Sequence, residues 1–87
     1  MEYFVYIIHS SKNNLYYKGF TTNPKHRLRE HNEGFSRFTK NKGPWKMVYL
    51  ERLADKKSAL ILEKQIKKYN HNYIQKLIQM PINILKK

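Results

Sequence analysis

The apolar and polar positions of this chain change period several times, and each change marks a new element. Tyr3-Phe4-Val5-Tyr6-Ile7-Ile8 is an unbroken aromatic and β-branched run that stops at His9-Ser10-Ser11. It is too short to favour a helix and reads as a strand buried on both faces. Lys12-Asn13-Asn14 is turn chemistry, because Asn tolerates the left-handed region. Residues 15–21 then read as a second strand, and the short link makes the pair an antiparallel hairpin. Thr22-Asn23-Pro24 marks a helix start, with Asn23 or Thr22 as cap and Pro24 at the first helical position. That helix runs to about Asn32 and stops near Gly34.

Beyond it, residues 34–44 form a basic loop with two aromatics, Phe35 and Phe38. Residues 45–53 read as a third strand, ended by Ala54-Asp55. Asp55 is a good cap for a helix from Lys56 to about Tyr69, on which Ala59, Leu62, Ile66 and Tyr69 make one apolar stripe. Asn70-His71-Asn72 interrupts, and residues 73–79 predict a shorter helix closed by Pro81. The order β-β-α-β-α-α over residues 1–87 predicts a single α+β domain with a mostly antiparallel sheet.

Charge changes the picture next. Eighteen Lys and Arg against six Asp and Glu give a net charge of +12 on 87 residues. Lysine richness alone can follow from base composition; the shortage of acids cannot. Residues 12–29, 34–50 and 64–87 carry cations and no acid at all. Such blocks point to a polyanion, with nucleic acid ahead of an anionic membrane surface. A membrane role lacks the basic amphipathic helix with a bulky apolar face that it would need. A hydrophobic share of 40% argues against a disordered basic tail, and the absence of cysteine excludes disulfides and thiol catalysis. No apolar run approaches the roughly 20 residues of a membrane span, and no basic n-region precedes the first one. The expectation is a cytoplasmic domain.

Three features could carry chemistry. If the hairpin register has an odd sum, Tyr6 and Tyr17 share a sheet face, and a sum of 23 sets them directly opposite; an even sum separates them. Arg27 and His31 stand i, i+4 on one helix face, offering a planar phosphate fork and a proton relay. His26 and Glu30 repeat that spacing, so the spacing alone is cheap. Glu63 lies at the margin of an apolar stripe, where a carboxylate needs a partner. Lys67, Lys64 or a divalent metal would each serve.

Together these residues resemble the GIY-YIG nuclease family. The resemblance is carried by Phe4-Val5-Tyr6, the turn, Tyr17-Lys18-Gly19, Arg27-x-x-x-His31-Asn32, the basic loop, Val48-Tyr49 and Glu63 in a Lys-rich helix. It covers about residues 2–79, leaving 80–87 as a C-terminal tail. It is strongest to small single-domain bacterial members related to the N-terminal domain of the excinuclease C subunit. Phe4 stands where the family has glycine, Lys18 where it has isoleucine, and Phe20 where a cation often follows. The late asparagine of some members falls on Asn70 or Asn72.

The resemblance implies a three-stranded antiparallel sheet flanked by helices and hydrolysis of DNA phosphodiester bonds with one Mg²⁺ or Mn²⁺. Tyr6, Tyr17, Arg27, His31 and Glu63 become the catalytic set, with Glu63 holding the metal. Tyr6 is the expected general base, and its phenol, with an ordinary pKa of about 10, needs help from a cation, from His31 or from Lys18. Lys18, Gly19, Arg37, Lys40, Lys42 and Lys46 are expected on nucleic acid, DNA ahead of RNA, in repair, recombination or mobile-element processing. So small a surface reads little sequence, leaving room for a homodimer or protein partner. The competing expectation is a binding module that does not cut, with the loop cations on phosphates and Phe35, Phe38 and Trp45 stacked on bases. Those three aromatics could equally be local core beneath the loop.

Overall fold

The computed structural model describes residues 2–86. The first apolar run becomes β1 (Tyr3–Ser10), central in an antiparallel sheet of order β2-β1-β3, where β2 is Leu15–Thr21 and β3 is Trp45–Leu53. β1 extends two residues beyond the apolar run. His9 and Ser10 still pair with Tyr16 and Leu15, and the Ser10 hydroxyl donates to the carbonyl of Lys42. The turn expectation holds at Asn14, whose φ is 51°.

Helix α1 (Pro24–Asn32) is capped by Asn23, whose side chain accepts from the His26 N–H. Asp55 caps α2 (Lys56–Ile66) through the Ser58 N–H, and Asn70 caps α3 (His71–Ile78) through the Tyr73 N–H. α2 is shorter than the apolar stripe suggests. Its end tightens into i to i+3 bonds from Lys68 to Gln65 and from Tyr69 to Ile66. Tyr69 keeps its place against the core although it has left the regular helix. Because Asn70 caps α3, that helix begins at His71, two residues earlier than expected.

Alternation along β1 splits the core in two. Val5 and Ile7 face Ala59, Ile66, Ile74 and Leu77 of α2 and α3, whereas Tyr6 and Ile8 face Leu28 of α1 together with Trp45. β1 is therefore buried on both faces, as its unbroken apolar run required. In the hairpin, Tyr6 pairs with Gly19 and Ile8 with Tyr17. The sum is 25 rather than 23, so the two tyrosines share a face diagonally instead of directly opposite.

The C-terminal segment is not a loose tail. Asn83 is buried, accepts from the N–H groups of Leu50 and Leu85, and donates to the carbonyls of Val48 and Ile78. A 3₁₀ turn, Ile84–Lys86, follows and packs along β3. Asn83→Ala removes all four bonds and strands buried backbone groups. It is expected to lower the unfolding free energy by about 2–4 kcal/mol in urea titration; a loss below about 0.5 kcal/mol would show that the segment is dispensable.

Candidate active site

Tyr6 is the centre of the site, and Gly19 makes room for it. A Cβ at Gly19 would lie 2.7 Å from the Tyr6 hydroxyl oxygen and 2.9 Å from Cζ. The glycine of the second motif is thus required for close approach of a ring, and it is buried, which corrects the expectation that Gly19 touches nucleic acid. Tyr17 lies 6.5 Å from Tyr6 between ring centroids, and His31 lies 5.8 Å from Tyr6 and 5.0 Å from Tyr17. The two strand tyrosines and the helix histidine therefore form one ring cluster between β2, β1 and α1.

A proton chain runs through this cluster. The Tyr6 hydroxyl is 2.7 Å from His31 Nε2, and His31 Nδ1 is 2.8 Å from Thr39 Oγ1, all of it buried. Thr39 Oγ1 in turn donates to the carbonyl of Ser36 at 3.5 Å. With its proton committed there, Thr39 accepts from Nδ1–H, so Nε2 is the bare nitrogen and Tyr6 donates to it. Thr39 escaped the sequence reading, since a lone threonine in a polar loop carries no spacing signal. Its position depends on Trp45, whose indole N–H donates to the Thr39 carbonyl, and on Asn32, whose amide bonds both N–H and C=O of Trp45.

Arg27 faces the Tyr6 phenol from the next turn of α1 and pairs with Glu30 at 3.1 Å, which leaves other guanidinium donors free. Burial nevertheless dominates Tyr6, pushing its pKa up to about 12 against the opposing pull of Arg27. The expected cationic activation of the phenol is therefore not present in the resting protein. Burial, reinforced by Arg27, pushes His31 down to about 4. Both shifts oppose transfer of the Tyr6 proton to His31 in the resting state, so the pair rests as neutral phenol and neutral imidazole.

Glu63 projects from α2 with its side chain 17% exposed and close enough for its charge to raise Tyr6. Its ion-pair partner is Lys67 at 3.7 Å, longer than a charge-assisted hydrogen bond. The basic loop ranks its residues clearly. Arg37, Lys40 and Lys46 are exposed and Lys42 is half-buried. Phe35 and Phe38 are 72% and 55% exposed, so neither is core beneath the loop; Trp45, at 3%, is core and cannot stack on a base. Lys18 pairs with Ile7 and alternates away from Tyr17 along the strand, yet β2 is an edge, and Lys18 and Tyr17 line one cleft. Asn70 is occupied as a cap and Asn72 lies on exposed α3.

Residues 2–77 match the family model of the GIY-YIG catalytic domain. The chain belongs to the GIY-YIG family. Within it, the chain is 37% identical over 76 residues to a UPF0213 protein of Clostridium perfringens, covering 86% of this chain and 81% of that one. A UPF0213 protein of Haloquadratum walsbyi is 35% identical over 78 residues, covering 88% and 86%. The solution structure of a UPF0213 protein from Bacillus halodurans superposes with a TM-score of 0.61, at 23% identity over 99% of this chain and 92% of that one. A shorter match, 53% identical over 38 residues, spans 39% of this chain and 12% of the structure-specific endonuclease subunit SLX1 homologue of Drosophila mojavensis.

GIY-YIG domains are nuclease domains that generally use a divalent metal, and Glu63 fits that requirement. Among the described residues no cluster of three His, Cys, Asp or Glu could enclose an ion. Magnesium, however, accepts one or two carboxylates and keeps its waters, and Glu63 is a largely desolvated carboxylate with only a long ion pair to satisfy it.

Two outcomes follow for this GIY-YIG site. Gly19→Ala must push the Tyr6 ring off His31; the Tyr6 hydroxyl resonance is expected to lose its hydrogen-bonded shift by NMR while the fold persists, and an unchanged resonance would refute the steric role. His31 is neutral in both folded and unfolded chains above pH 6.5. As pH falls from 6.5 towards 4 only the unfolded chain takes up the proton, so stability is lost, on the order of 3 kcal/mol at pH 4. Urea titrations between pH 7 and 4.5 should show a shallower acid loss in His31→Gln than in the parent; equal slopes would contradict this.

Proposed function

We propose that this protein is a divalent-metal-dependent endonuclease that hydrolyses DNA phosphodiester bonds. The observation that carries the reading is the convergence on the Tyr6 hydroxyl of a proton acceptor, a guanidinium and a carboxylate field. Tyr6 donates its proton to His31, which leaves oxygen lone pairs to accept from Arg27 and from a nucleophilic water. As that water gives up a proton to Tyr6, the Tyr6 proton moves to His31, so no free phenolate forms. Thr39 holds the imidazole in the receiving tautomer. Arg27, with donors free beyond Glu30, neutralises charge on the non-bridging phosphate oxygens. Tyr17 borders the same ring cluster and positions water or phosphate. Glu63 would hold Mg²⁺ or Mn²⁺, which when bound supplies positive charge to the phosphate and reverses the field that Glu63 alone casts on Tyr6.

Preference for branched or flapped DNA, in repair or recombination within the cytoplasm, is the substrate reading that goes with so small a basic surface. The name of the Drosophila relative supports structure selectivity. Arg37, Lys40, Lys42 and Lys46 supply a sequence-independent grip, and specificity would come from a dimer or a partner protein. A binding module that does not cut is the second reading, favoured by the Glu63–Lys67 pair.

Branched and supercoiled DNA with Mg²⁺ or Mn²⁺ separates them. Nicking is expected in the parent. It should fall about 10²-fold or more in Tyr6→Phe, Arg27→Ala and Glu63→Ala, with DNA binding by Glu63→Ala intact. No cleavage by the parent with any metal or substrate, alongside tight salt-sensitive binding, would establish the module instead.

A further inference from the structure

Beside the ring cluster lies a cleft of about 370 Å³ lined by Tyr16, Tyr17, Lys18, Phe38 and Lys67. The mechanism uses only one of these residues. The walls come from the edge strand β2, the basic loop and the end of α2. They combine three aromatic rings with two cations. Tyr17 and Phe38 are 5.5 Å apart between centroids, with their planes tilted by 35°. Phe38 remains 55% exposed, a large apolar face left in water on the most basic loop of the protein. Lys42 sits 4.4 Å from the centre of its ring, which keeps positive charge at the rim of the cleft. Among the described residues, no carboxylate lies within ion-pair distance of Lys18, and Lys67 has only its long contact to Glu63.

An aromatic shelf flanked by Lys18, without an ion pair among the described residues, and by Lys67, held only by its long contact to Glu63, fits one ligand chemistry closely. A nucleobase freed from its partner offers a π-face to the rings and flanking phosphates to the cations. A paired base does not, because both its faces are already stacked within the duplex. An acidic peptide would satisfy the lysines but leave the shelf unused. We infer that the Tyr17–Phe38 cleft binds one unpaired nucleotide next to the scissile phosphate, with Lys18 and Lys67 on its phosphates, and that this slot makes the protein prefer DNA with a single-stranded segment at a junction. The inference rests on the endonuclease reading only in placing the scissile phosphate beside the slot. It also assigns a role to Phe38, which the motif pattern leaves without one. The slot sits on the edge of β2, the side open to solvent, so a strand leaving a duplex can reach it without crossing the sheet.

The test is a binding measurement without divalent metal, in EDTA, so that cleavage plays no part. The probes are a fluorescein-labelled flapped duplex, the matching nicked duplex without a flap, and a single-stranded oligothymidine, each in DNA and RNA form. Phe38→Ala is expected to weaken flap and single-strand binding about 10-fold while changing nicked-duplex binding less than 2-fold. Phe38→Trp should restore the difference, because a larger ring stacks at least as well. Replacing the first unpaired base of the flap by 2-aminopurine should give fluorescence quenching in the parent that Phe38→Ala loses. Equal losses on flapped and nicked duplex would overturn the slot and leave Phe38 as part of a general grip, as would unchanged flap binding in Phe38→Ala. Flap discrimination that depends on Phe38 in a protein that never cleaves would sink the endonuclease reading and leave the slot standing. Cleavage with no such discrimination would do the reverse.

Discussion

The hydrogen bond from Tyr6 to His31 is the contact on which the rest of the site depends. It joins the central strand to the first helix through the middle of the smaller core, at 2.7 Å between two almost fully buried side chains. In that setting a lone phenol or imidazole would be expensive, so each group needs the other. The same burial decides their protonation. The phenol keeps its proton and the imidazole takes no second one, and with Nδ1–H directed at Thr39 the bare Nε2 is left to accept from Tyr6, a route for charge once a cation and a phosphate approach.

Much of the surrounding sequence makes sense as support for that bond. Gly19 is needed because the phenol occupies the space of its side chain. Asn32 follows His31 because it ties the end of α1 to the start of β3, closing the basic loop so that Trp45 and Thr39 stand behind the imidazole. The loop therefore has two faces with different work. Its inner residues, Thr39 and Trp45, hold the histidine; its outer ones, Phe35, Arg37, Phe38 and Lys40, are left to the surroundings. A purely basic surface loop would need no buried tryptophan and no hydrogen-bonded threonine.

The elements were legible because each rests on local chemistry. A six-residue apolar run reads as a strand buried on both faces, and Asn23 and Asp55 begin two helices where their side chains reach the third N–H; Asn70 does the same for α3 but read as part of a break between helices. What was not legible depended on partners far along the chain. The register of the hairpin rests on which residue lies across from Tyr6, and a turn of four residues leaves that open by steps of two. Asn83 fell in the C-terminal tail because nothing near it shows that β3 offers it backbone groups. Of the loop aromatics, residue type could not separate Trp45 from Phe38; only the closure by Asn32 puts one inside and one outside.

The acids show how tertiary structure sharpens a compositional fact. In a chain of net charge +12, four of the six acids have structural tasks that composition would not reveal, and a fifth, Glu33, is exposed at the end of α1. Glu30 holds Arg27, Glu2 pairs with Arg52, Glu51 accepts from Tyr49, and Asp55 caps α2. Glu63 alone is drawn out of water without a hydrogen-bond donor to satisfy it, and its field reaches the one phenol that matters. A surrounding excess of lysine would ordinarily quench such a carboxylate with a short contact. Lys67 stops at 3.7 Å and also lines the aromatic cleft, so one lysine borders both the carboxylate and the cleft. On the proposed reading, in which Glu63 would hold a metal, a phosphate entering the cleft would compete with Glu63 for Lys67, so that substrate and metal would each remove a charge that repels the other.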